Sequence, residues 1–554
     1  MASEVQVMVD TKPRPVAAPP PPPPPGAAFA GFVLFASLAA LLALLYAGSE
    51  WWNLAGGFGF PSDAAWVRVV FARNLASREG LCFNPGSPSA GAPGFSWITL
   101  LAGVGFFTGD FVFAAKVLGV LAIILTSYIA WHITYNLLGD WRFAFIAGLA
   151  VAASPRLTSA GLGGTEAAWA ALAVAAAIHW QAVGWDGSNR QRALGAVAAG
   201  LAALARPELI LLLPLLVADR WLTSLAQQKP GHRFRGGVLR SIPEFGGSLA
   251  VIAPFVVFSL RAGGQLWQQP EYSLRAPGVW TWSGGALHHL WWGNPVLCLA
   301  AIIGLPVALI SAIRPRPRHP SFLVPALPVI ALLAPGLIWR QAGPGNAVFT
   351  ATYLTPIVTI LGACGLFFAH RYLRRRIAPD RTERRRVVLG VVLALGCAGV
   401  FGFPAAVHPA AWREHGFQVK KVSDLQGYIG RWAADHLATD ASIASREVGA
   451  IGFFSHRRMI DLGGTVSQEA LNYVGKPGSP DSNLLEYLQK ARPSHLAIRP
   501  SDFPDLSQRA DLLTPAVTCV VTDPISGGVT TMALYETPWP PLSVMQARVQ
   551  SGRR

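Results

Sequence analysis

Residues 61–100 read PSDAAWVRVVFARNLASREGLCFNPGSPSAGAPGFSWITL and contain two short apolar patterns separated by a Gly/Pro-rich stretch. The first pattern, 63–78, has apolar side chains at helical spacing and places Asp63 in its first turn. The second, 95–107, is too short to cross a bilayer, which takes about 20 helical residues. We therefore expect a helix along the membrane surface and then a short interfacial helix. The polar side of the first helix carries Arg68, Arg73 and Arg78.

The composition of the whole chain indicates a membrane protein. Of its 554 residues, 52% are hydrophobic and only 13% are charged, whereas soluble domains carry about 25% charged residues. This balance excludes a soluble globular enzyme and predicts an all-α polytopic membrane domain. Eleven apolar runs are candidate transmembrane helices: 27–47, 111–138, 141–155, 166–184, 191–205, 207–223, 243–260, 295–313, 321–339, 349–369 and 387–406.

Basic loops predict the orientation of these helices. The chain has 45 Lys and Arg against 29 Asp and Glu, a formal charge of +16. Three loops between runs hold five, three and eight of these basic residues: 219–240, 314–319 and 371–386. Because basic loops favour the cytoplasmic side, we place all three there. With eleven spans, the N-terminus is then cytoplasmic, while the first outer loop, 48–110, and the C-terminus lie outside.

The composition divides the chain into four parts. Residues 1–26 form a Pro-rich tail that we expect to be disordered and cytoplasmic. Residues 27–407 form the membrane domain, 408–540 a small extracytoplasmic α/β domain, and 541–554 a C-terminal tail. In the α/β domain a helical stretch near 424–437 precedes strand-like runs at 442–445, 459–462, 495–498, 516–521 and 530–535.

Several short motifs match a known family. In the first loop these are Asp63, FARNL at 71–75, Gly80 and Leu81, FNPG at 83–86, and Trp97, Thr99 and Leu100. Later motifs are GGTE at 163–166, RPE at 206–208, GAIGFFS at 449–455 and RMIDLGG at 458–464. Together they resemble the C-type (GT-C) glycosyltransferases, most closely the bacterial terminal arabinofuranosyltransferase-like and mannosyltransferase-like group.

The resemblance implies a reaction and a set of site residues. Members of this family transfer a sugar from a polyprenyl-phosphate donor to a glycan or lipid acceptor of the cell envelope, on the outer face of the bacterial plasma membrane. It makes Asp63 the general base of an inverting displacement, and arginines suit the leaving phosphate because a guanidinium binds its oxygens in pairs. The implied substrate-binding residues are Arg73, Asn74, Glu166, Arg206, Glu208, Tyr272 and Arg275.

A structural interpretation of the acids stands beside the catalytic one. Asp63, Glu166 and Glu208 each fall in the first turn of a predicted helix, where a carboxylate stabilises the helix N-terminus. However, all three are placed at the same outer boundary of a chain that contains few charges. Charged groups at membrane depth are costly and usually functional.

The remaining expectations concern cofactors, partners and other functions. No D-x-D or H-x-x-x-H spacing is present, so the sequence predicts no cofactor and gives a divalent metal no support. The expected partners are the lipid-linked sugar donor, the acceptor and the bilayer, without nucleic acid. Two alternatives are a flippase for a lipid-linked glycan and a non-catalytic assembly partner with the same fold. The second is favoured by Asp63-Ala64, where the family usually has paired aspartates.

Overall fold

The computed structural model describes residues 24–91, 94–183, 188–227, 233–263, 279–313, 322–338, 345–376, 382–474, 476–523 and 527–539. Its membrane part consists of helices α1 (Ala27–Asn53), α2 (Asp63–Ala76), α3 (Phe95–Thr108), α4 (Phe111–Leu138), α5 (Trp141–Ala152), α6 (Pro155–Leu162), α7 (Ala167–Val183), α8 (Asn189–Ala205), α9 (Leu212–Gln227), α10 (Arg233–Gly263), α11 (Val279–Gly293), α12 (Pro295–Ile313), α13 (Leu323–Ile338), α14 (Gly345–Arg376) and α15 (Thr382–Val422). A 3₁₀ turn, Pro207–Leu211, precedes α9. Apart from 24–26, both predicted tails lie outside the described residues.

Over the described residues, each of the eleven predicted runs coincides largely with one or two helices, but these helices differ in length. Within the described part of the chain, five helices are individually long and apolar enough to cross a membrane: α1, α4, α10, α14 and α15. Two bent pairs bring the number to as many as seven: α5 with α6 at 46°, and α11 with α12 at 114°. The run predicted at 141–155 is therefore a broken helix. The other runs form shorter helices: α7, for example, has 17 residues, or about 25 Å at 1.5 Å per residue.

The exterior of the membrane domain is apolar. Large hydrophobic side chains are exposed on α1, α12 and α15, among them Leu44, Ile302 and Leu395. By contrast, α14 is mostly buried among the other helices. Lipid covers such exposed apolar faces, so this arrangement is that of a polytopic membrane domain built around α14.

Glycines allow the inner helices to pack closely. A Cβ atom on Gly304 of α12 would overlap the carbonyl oxygen of Leu361 on α14, and one on Gly365 of α14 would overlap that of Ala300. A Cβ atom on Gly119 of α4 would likewise overlap the carbonyl oxygen of Gly161 on α6. Since lipid provides no hydrophobic drive between helices, such close backbone contacts are a main source of their association.

A buried charge cluster joins three long helices. Glu50 Oε1 on α1 lies 2.7 Å from Lys116 Nζ on α4 and 2.7 Å from His415 Nε2 on α15. All three side chains are buried. Removing one member of such a cluster leaves a charge unpaired in a medium of low dielectric constant, so the cluster fixes α15 against α1 and α4.

The chain continues from α15 into the C-terminal α/β domain, residues 423–539, which we name the outer domain after its predicted location. A π-helical turn, Ser423–Gly427, leads to α16 (Tyr428–His436), β1 (Ser442–Ser445), α17 (Val448–Ser455), β2 (Arg458–Asp461), a 3₁₀ turn (Gln468–Ala470), α18 (Leu471–Val474), α19 (Pro480–Ala491), β3 (His495–Ile498), α20 (Pro504–Ser507), β4 (Thr514–Thr522) and β5 (Val529–Glu536). The strands form a sheet in the order β2-β1-β3-β5-β4. β1 is parallel to both β2 and β3, while β5 pairs antiparallel with β3 and β4. The five predicted strands are confirmed within one or two residues.

The outer domain and the first loop share one core. A single apolar cluster contains Val67 and Val70 of α2 together with Ile451 of α17 and Leu534 of β5. The boundary predicted at 407/408 lies inside α15, which runs unbroken to Val422. The α/β domain is therefore joined to the membrane domain both by a continuous helix and by side-chain packing.

Helix α2 lies inside the protein and not on its surface. Nine of its 14 side chains are buried, including Arg68, which is 2% exposed, and the other five are partly buried. The prediction of a polar side is corrected by two contacts, since Arg68 pairs with Glu166 of the membrane domain and Arg73 contacts Phe453 of the outer domain. The orientation of α2 along the membrane surface stays a prediction. The helix ends at Ala76, two residues before the predicted end.

We predict that Gly304→Ala lowers the stability of the protein by about 1–3 kcal/mol, because the added methyl group forces α12 and α14 apart. Thermal unfolding in detergent micelles measures the effect. Gly402→Ala in α15 is the matched control, since its Cβ meets no described atom within 4 Å. The control is expected to be neutral or slightly stabilising, as Ala is the better helix former. Equal unfolding temperatures for the two variants would contradict the close packing.

Candidate functional site

Asp63 joins the first loop to the outer domain. It is the first residue of α2, and its carboxylate accepts hydrogen bonds from the backbone N–H groups of Gly449, at 2.9 Å, and Ala450, at 2.8 Å. These two groups belong to the first turn of α17. The carboxylate thus stabilises the N-terminus of a helix from the distant outer domain as well as its own.

Gly449 makes this contact possible. A Cβ atom at this position would overlap the carbonyl oxygen of Asp63 and approach the Val67 nitrogen to 2.7 Å. The helices α2 and α17 can therefore approach this closely only with glycine there. This explains the first glycine of the GAIGFFS segment in physical terms.

A cavity of about 340 Å³ adjoins Asp63. One wall is the start of α2, with Asp63, Ala64 and Val67. The other walls come from the outer domain, at the residues that follow strands β1 and β3. The outer-domain lining is Ser445, Arg446, Glu447, Gly463, Thr465, Ala497, Ile498, Arg499, Asp502, Phe503 and Met532.

The other two predicted acids lie in a buried ion network. Glu166 forms a paired contact with Arg68, through Nε and, at 3.0 Å, through Nη2. It also accepts from Arg206 Nη1 at 3.1 Å, and Arg206 Nε donates to Glu208 at 3.0 Å. All four side chains are buried. Because two guanidinium groups face two carboxylates, the network is electrically balanced within the protein.

This network also holds the start of α2. Arg68 Nη1 donates to the carbonyl oxygen of Ala64 at 2.6 Å. Glu166 lies at the beginning of α7 and holds Arg68 in place. Arg68 in turn holds the first turn of α2, which carries Asp63. Arg68 was not among the predicted site residues. Its spacing from Ala64 by one helical turn was visible in the sequence, but nothing in the sequence indicated that this face of α2 is covered.

Arg73 and Asn74 have structural contacts instead of lying at the Asp63 cavity. Arg73 Nη1 donates to the Phe453 carbonyl at 3.1 Å and lies 3.3 Å from His456 Nδ1, at the end of α17. Burial, and then the charge of Arg73, lower the pKa of His456, so its ring is neutral at pH 7 and can accept this bond. Asn74 donates to the carbonyl oxygens of Cys82 and Phe83 and holds the loop after α2. Tyr272 and Arg275 lie outside the described residues.

A second joint between the loop and the outer domain was also missed. The side chain of Asn84, in the FNPG segment, accepts from the Met459 N–H and donates to the Met459 carbonyl, both at 2.9 Å. The side-chain amide of Asn84 thus makes the pair of hydrogen bonds to β2 that the backbone of a neighbouring strand would make. Asn84 and Arg458 both line a second cavity of about 420 Å³ on this side of the interface.

The Asp of RMIDLGG organises a turn of the outer domain. Asp461 accepts four backbone N–H hydrogen bonds, from Gly463, Gly464, Val466 and Ser467. Because Asp461 is buried, these hydrogen bonds fix the conformation of the loop that follows β2. Among the residues that the structure describes, no group of three or more His, Cys, Asp or Glu side chains could hold a metal ion.

Comparisons with known proteins place this geometry in context. Residues 411–539 match a family model described as a domain of unknown function, DUF8728. None of the curated proteins compared with the chain matches it in sequence. The matched segment covers the outer domain and the end of α15, so it says nothing of the membrane part.

Solved structures resemble the chain over most of its length. The Archaeoglobus fulgidus oligosaccharyltransferase AglB, in complex with an inhibitory peptide and a dolichol-phosphate, has a TM-score of 0.62 at 12% identity, covering 93% of this chain and 75% of that one. ArnT from Cupriavidus metallidurans bound to undecaprenyl phosphate has a TM-score of 0.57 at 15% identity, covering 90% of this chain and 97% of that one. Arabinofuranosyltransferase AftD from Mycobacteria has a TM-score of 0.50 at 17% identity, covering 91% of this chain and 41% of that one.

These neighbours are all GT-C glycosyltransferases, and at such low identities their likeness establishes the fold alone. The chain therefore has the fold of the GT-C superfamily, with a polytopic helical membrane domain that carries a C-terminal α/β domain.

Proposed function

We propose that the protein is an integral-membrane glycosyltransferase that transfers a sugar from a polyprenyl-phosphate donor to a cell-envelope glycan or lipid. The observation that carries this proposal is the position of Asp63, whose carboxylate lines a cavity between α2 of the first loop and the outer domain of a GT-C fold. Two structural neighbours support the donor class, since one was solved with dolichol-phosphate and another with undecaprenyl phosphate.

In the proposed reaction an acceptor hydroxyl attacks the anomeric carbon of the donor sugar. The new bond joins the acceptor oxygen to that carbon, and the bond from the carbon to the phosphate oxygen breaks. Its electron pair leaves with the polyprenyl phosphate, and the hydroxyl proton passes to the Asp63 carboxylate. A direct displacement of this kind inverts the anomeric centre, and a positioned base contributes about 10²–10⁴-fold to such a step.

The geometry of Asp63 suits this role. The two backbone N–H groups of α17 fix the plane of the carboxylate at the wall of the cavity. The arginine network below holds α2, so the base is presented by a rigid element. We do not assign the leaving phosphate to Arg206, because two carboxylates already neutralise its charge.

A second candidate function is a non-catalytic assembly partner with the same fold. The observation that favours it is the capping role of Asp63, whose hydrogen bonds to α17 account for this residue without any chemistry. Ala64 follows it where the family usually has a second acid. The two candidates differ in what the loss of the carboxylate does to sugar transfer, so variants of Asp63 separate them.

We predict that Asp63→Asn lowers transfer at least about 100-fold, because an amide cannot accept the hydroxyl proton. The assay uses the full chain in lipid nanodiscs with polyprenyl phosphates carrying arabinofuranose, mannose or glucose, and with neutral tetrasaccharides of the same sugars as acceptors. Release of polyprenyl phosphate, measured by mass spectrometry, reports the reaction. Arabinofuranose is included because one structural neighbour is an arabinofuranosyltransferase.

The matched control for this variant is Asn84→Ala. It removes two hydrogen bonds between the first loop and the outer domain, which costs about 1–3 kcal/mol, but it leaves the Asp63 carboxylate in place. We expect it to lower the unfolding temperature while keeping transfer within a few-fold. If both variants lose transfer equally, Asp63 acts through docking and the base assignment is wrong. If the wild type transfers none of the sugars, the assembly partner is favoured.

We further propose that the protein lies in a bacterial plasma membrane with the 371–386 loop in the cytoplasm and the α/β domain outside. In spheroplasts, an impermeant maleimide is then expected to label Ser501→Cys in the outer domain and to label Arg374→Cys at the end of α14 only after permeabilisation. Both positions are exposed. The parent chain is the control, since Cys82, Cys364 and Cys519 are buried and Cys298 and Cys397 half-buried. Labelling of residue 374 in intact spheroplasts would reverse the orientation.

A further inference from the structure

The connections of the outer sheet point to a ligand site. From β1 the chain passes through α17 to β2 on one side of β1, and it then returns through α19 to β3 on the other side. Adjacent parallel strands whose connections run in opposite directions leave a crevice at their carboxyl ends, where open α/β sheets bind ligands. The cavity next to Asp63 lies there, since residues 445–447 and 498–499 line it.

The charges in the cavity are mixed and nearly balanced. Besides Asp63, its lining carries the carboxylates of Glu447 and Asp502 and the guanidinium groups of Arg446 and Arg499. Glu447 and Arg499 form an ion pair, and the other oxygen of Glu447 accepts from Gln426. Within the part of the chain that the structure describes, Glu447 and Arg499 are thus held in place by protein contacts.

Two further charged side chains are exposed at the cavity. Arg446 and Asp502 are solvent-accessible, and they follow the ends of β1 and β3 respectively. Asp502 receives a long hydrogen bond, 3.4 Å, from Ser501 Oγ. Their exposure shows that the cavity is open to solvent.

We propose that this cavity binds the end of an uncharged glycan, which is the acceptor of the reaction. That this glycan is the acceptor rests on the proposed function, whereas the binding site itself is inferred from the sheet topology and the lining residues. Sugar hydroxyls both donate and accept, so they match carboxylates and guanidinium groups placed side by side. The apolar lining, from Val67, Ile498, Phe503 and Met532, suits the C–H faces of sugar rings.

The same lining disfavours other acceptors. An anionic group entering the cavity would meet three carboxylates against two guanidinium groups, and like charges at short range are costly. A lipid chain would leave five ionised side chains without water. The volume, about 340 Å³, is at the low end of the range of about 300–1,000 Å³ for ligand pockets. It accommodates the end of a glycan chain and not a long stretch of it.

The test measures binding by the full chain in nanodiscs, without any donor. The probes are linear neutral tetrasaccharides of arabinofuranose, mannose and glucose, with tetragalacturonate as the anionic counterpart, followed by saturation-transfer NMR and competition. We expect at least one neutral tetrasaccharide to bind and tetragalacturonate not to compete. Arg446→Ala and Asp502→Asn are each expected to weaken binding about tenfold, the effect of losing one charge-assisted hydrogen bond.

Arg458→Ala and Asp505→Asn serve as matched controls. Arg458 lines the second cavity, and Asp505 is an exposed aspartate of the same domain. We expect both to bind as the wild type does, and thermal unfolding checks that all four variants are folded. Weakening by Arg458→Ala but not by Arg446→Ala would move the site to the second cavity and overturn the proposal. Absence of binding by every neutral probe, or equal binding of tetragalacturonate, would also overturn it.

Failure of this inference is distinguishable from failure of the proposed function. Neutral glycan binding that depends on Arg446 and Asp502, without sugar transfer, would support the site and reject the enzyme. Sugar transfer whose acceptor KM is unchanged in Arg446→Ala and Asp502→Asn would support the enzyme and reject the site.

Discussion

The carboxylate of Asp63 and the first turn of α17 form the joint on which the rest of the structure depends. Two hydrogen bonds and the close approach at Gly449 bring residues almost 390 positions apart into one site. The joint closes one side of the cavity and fixes the plane of the carboxylate. The same group therefore serves as a structural contact and as the proposed base, so the docking of the outer domain and the proposed chemistry are linked through a single side chain.

Below this joint, the buried network of Arg68, Glu166, Arg206 and Glu208 anchors α2 to the membrane helices. Buried ion pairs add little net stability, yet breaking one by removing a single partner costs about 3–5 kcal/mol. The main effect of the network is therefore to fix the position of α2. Ionic contacts hold α2 on the membrane helices, while hydrogen bonds and apolar packing hold it on the outer domain, and Asp63 lies between these two sets of contacts.

Much of the local structure was predictable because local patterns determine it. The strands of the outer domain coincide with short runs that mix polar and apolar residues, the short helix at 95–108 has the length of an interfacial segment, and Asp63 begins α2 as its capping context indicates. The roles of Arg68, Arg73 and Asn74 were not predictable, since each depends on contacts with remote segments. Spacing along α2 reveals apolar positions, but it does not reveal which remote segments contact Arg68 and Arg73. Composition changes near residue 408, but it does not reveal that the helix α15 continues to Val422.

The unbroken helix α15 has a geometric consequence for the evolution of this chain. Its 41 residues extend about 60 Å at 1.5 Å per residue. Adding one residue to an α-helix turns everything beyond it by about 100° and advances it by about 1.5 Å. An insertion between the bilayer and Val422 would therefore swing the sheet out of register with α2. Length variation is tolerable in the surface loops, but in this segment the number of residues is a fixed dimension of the protein.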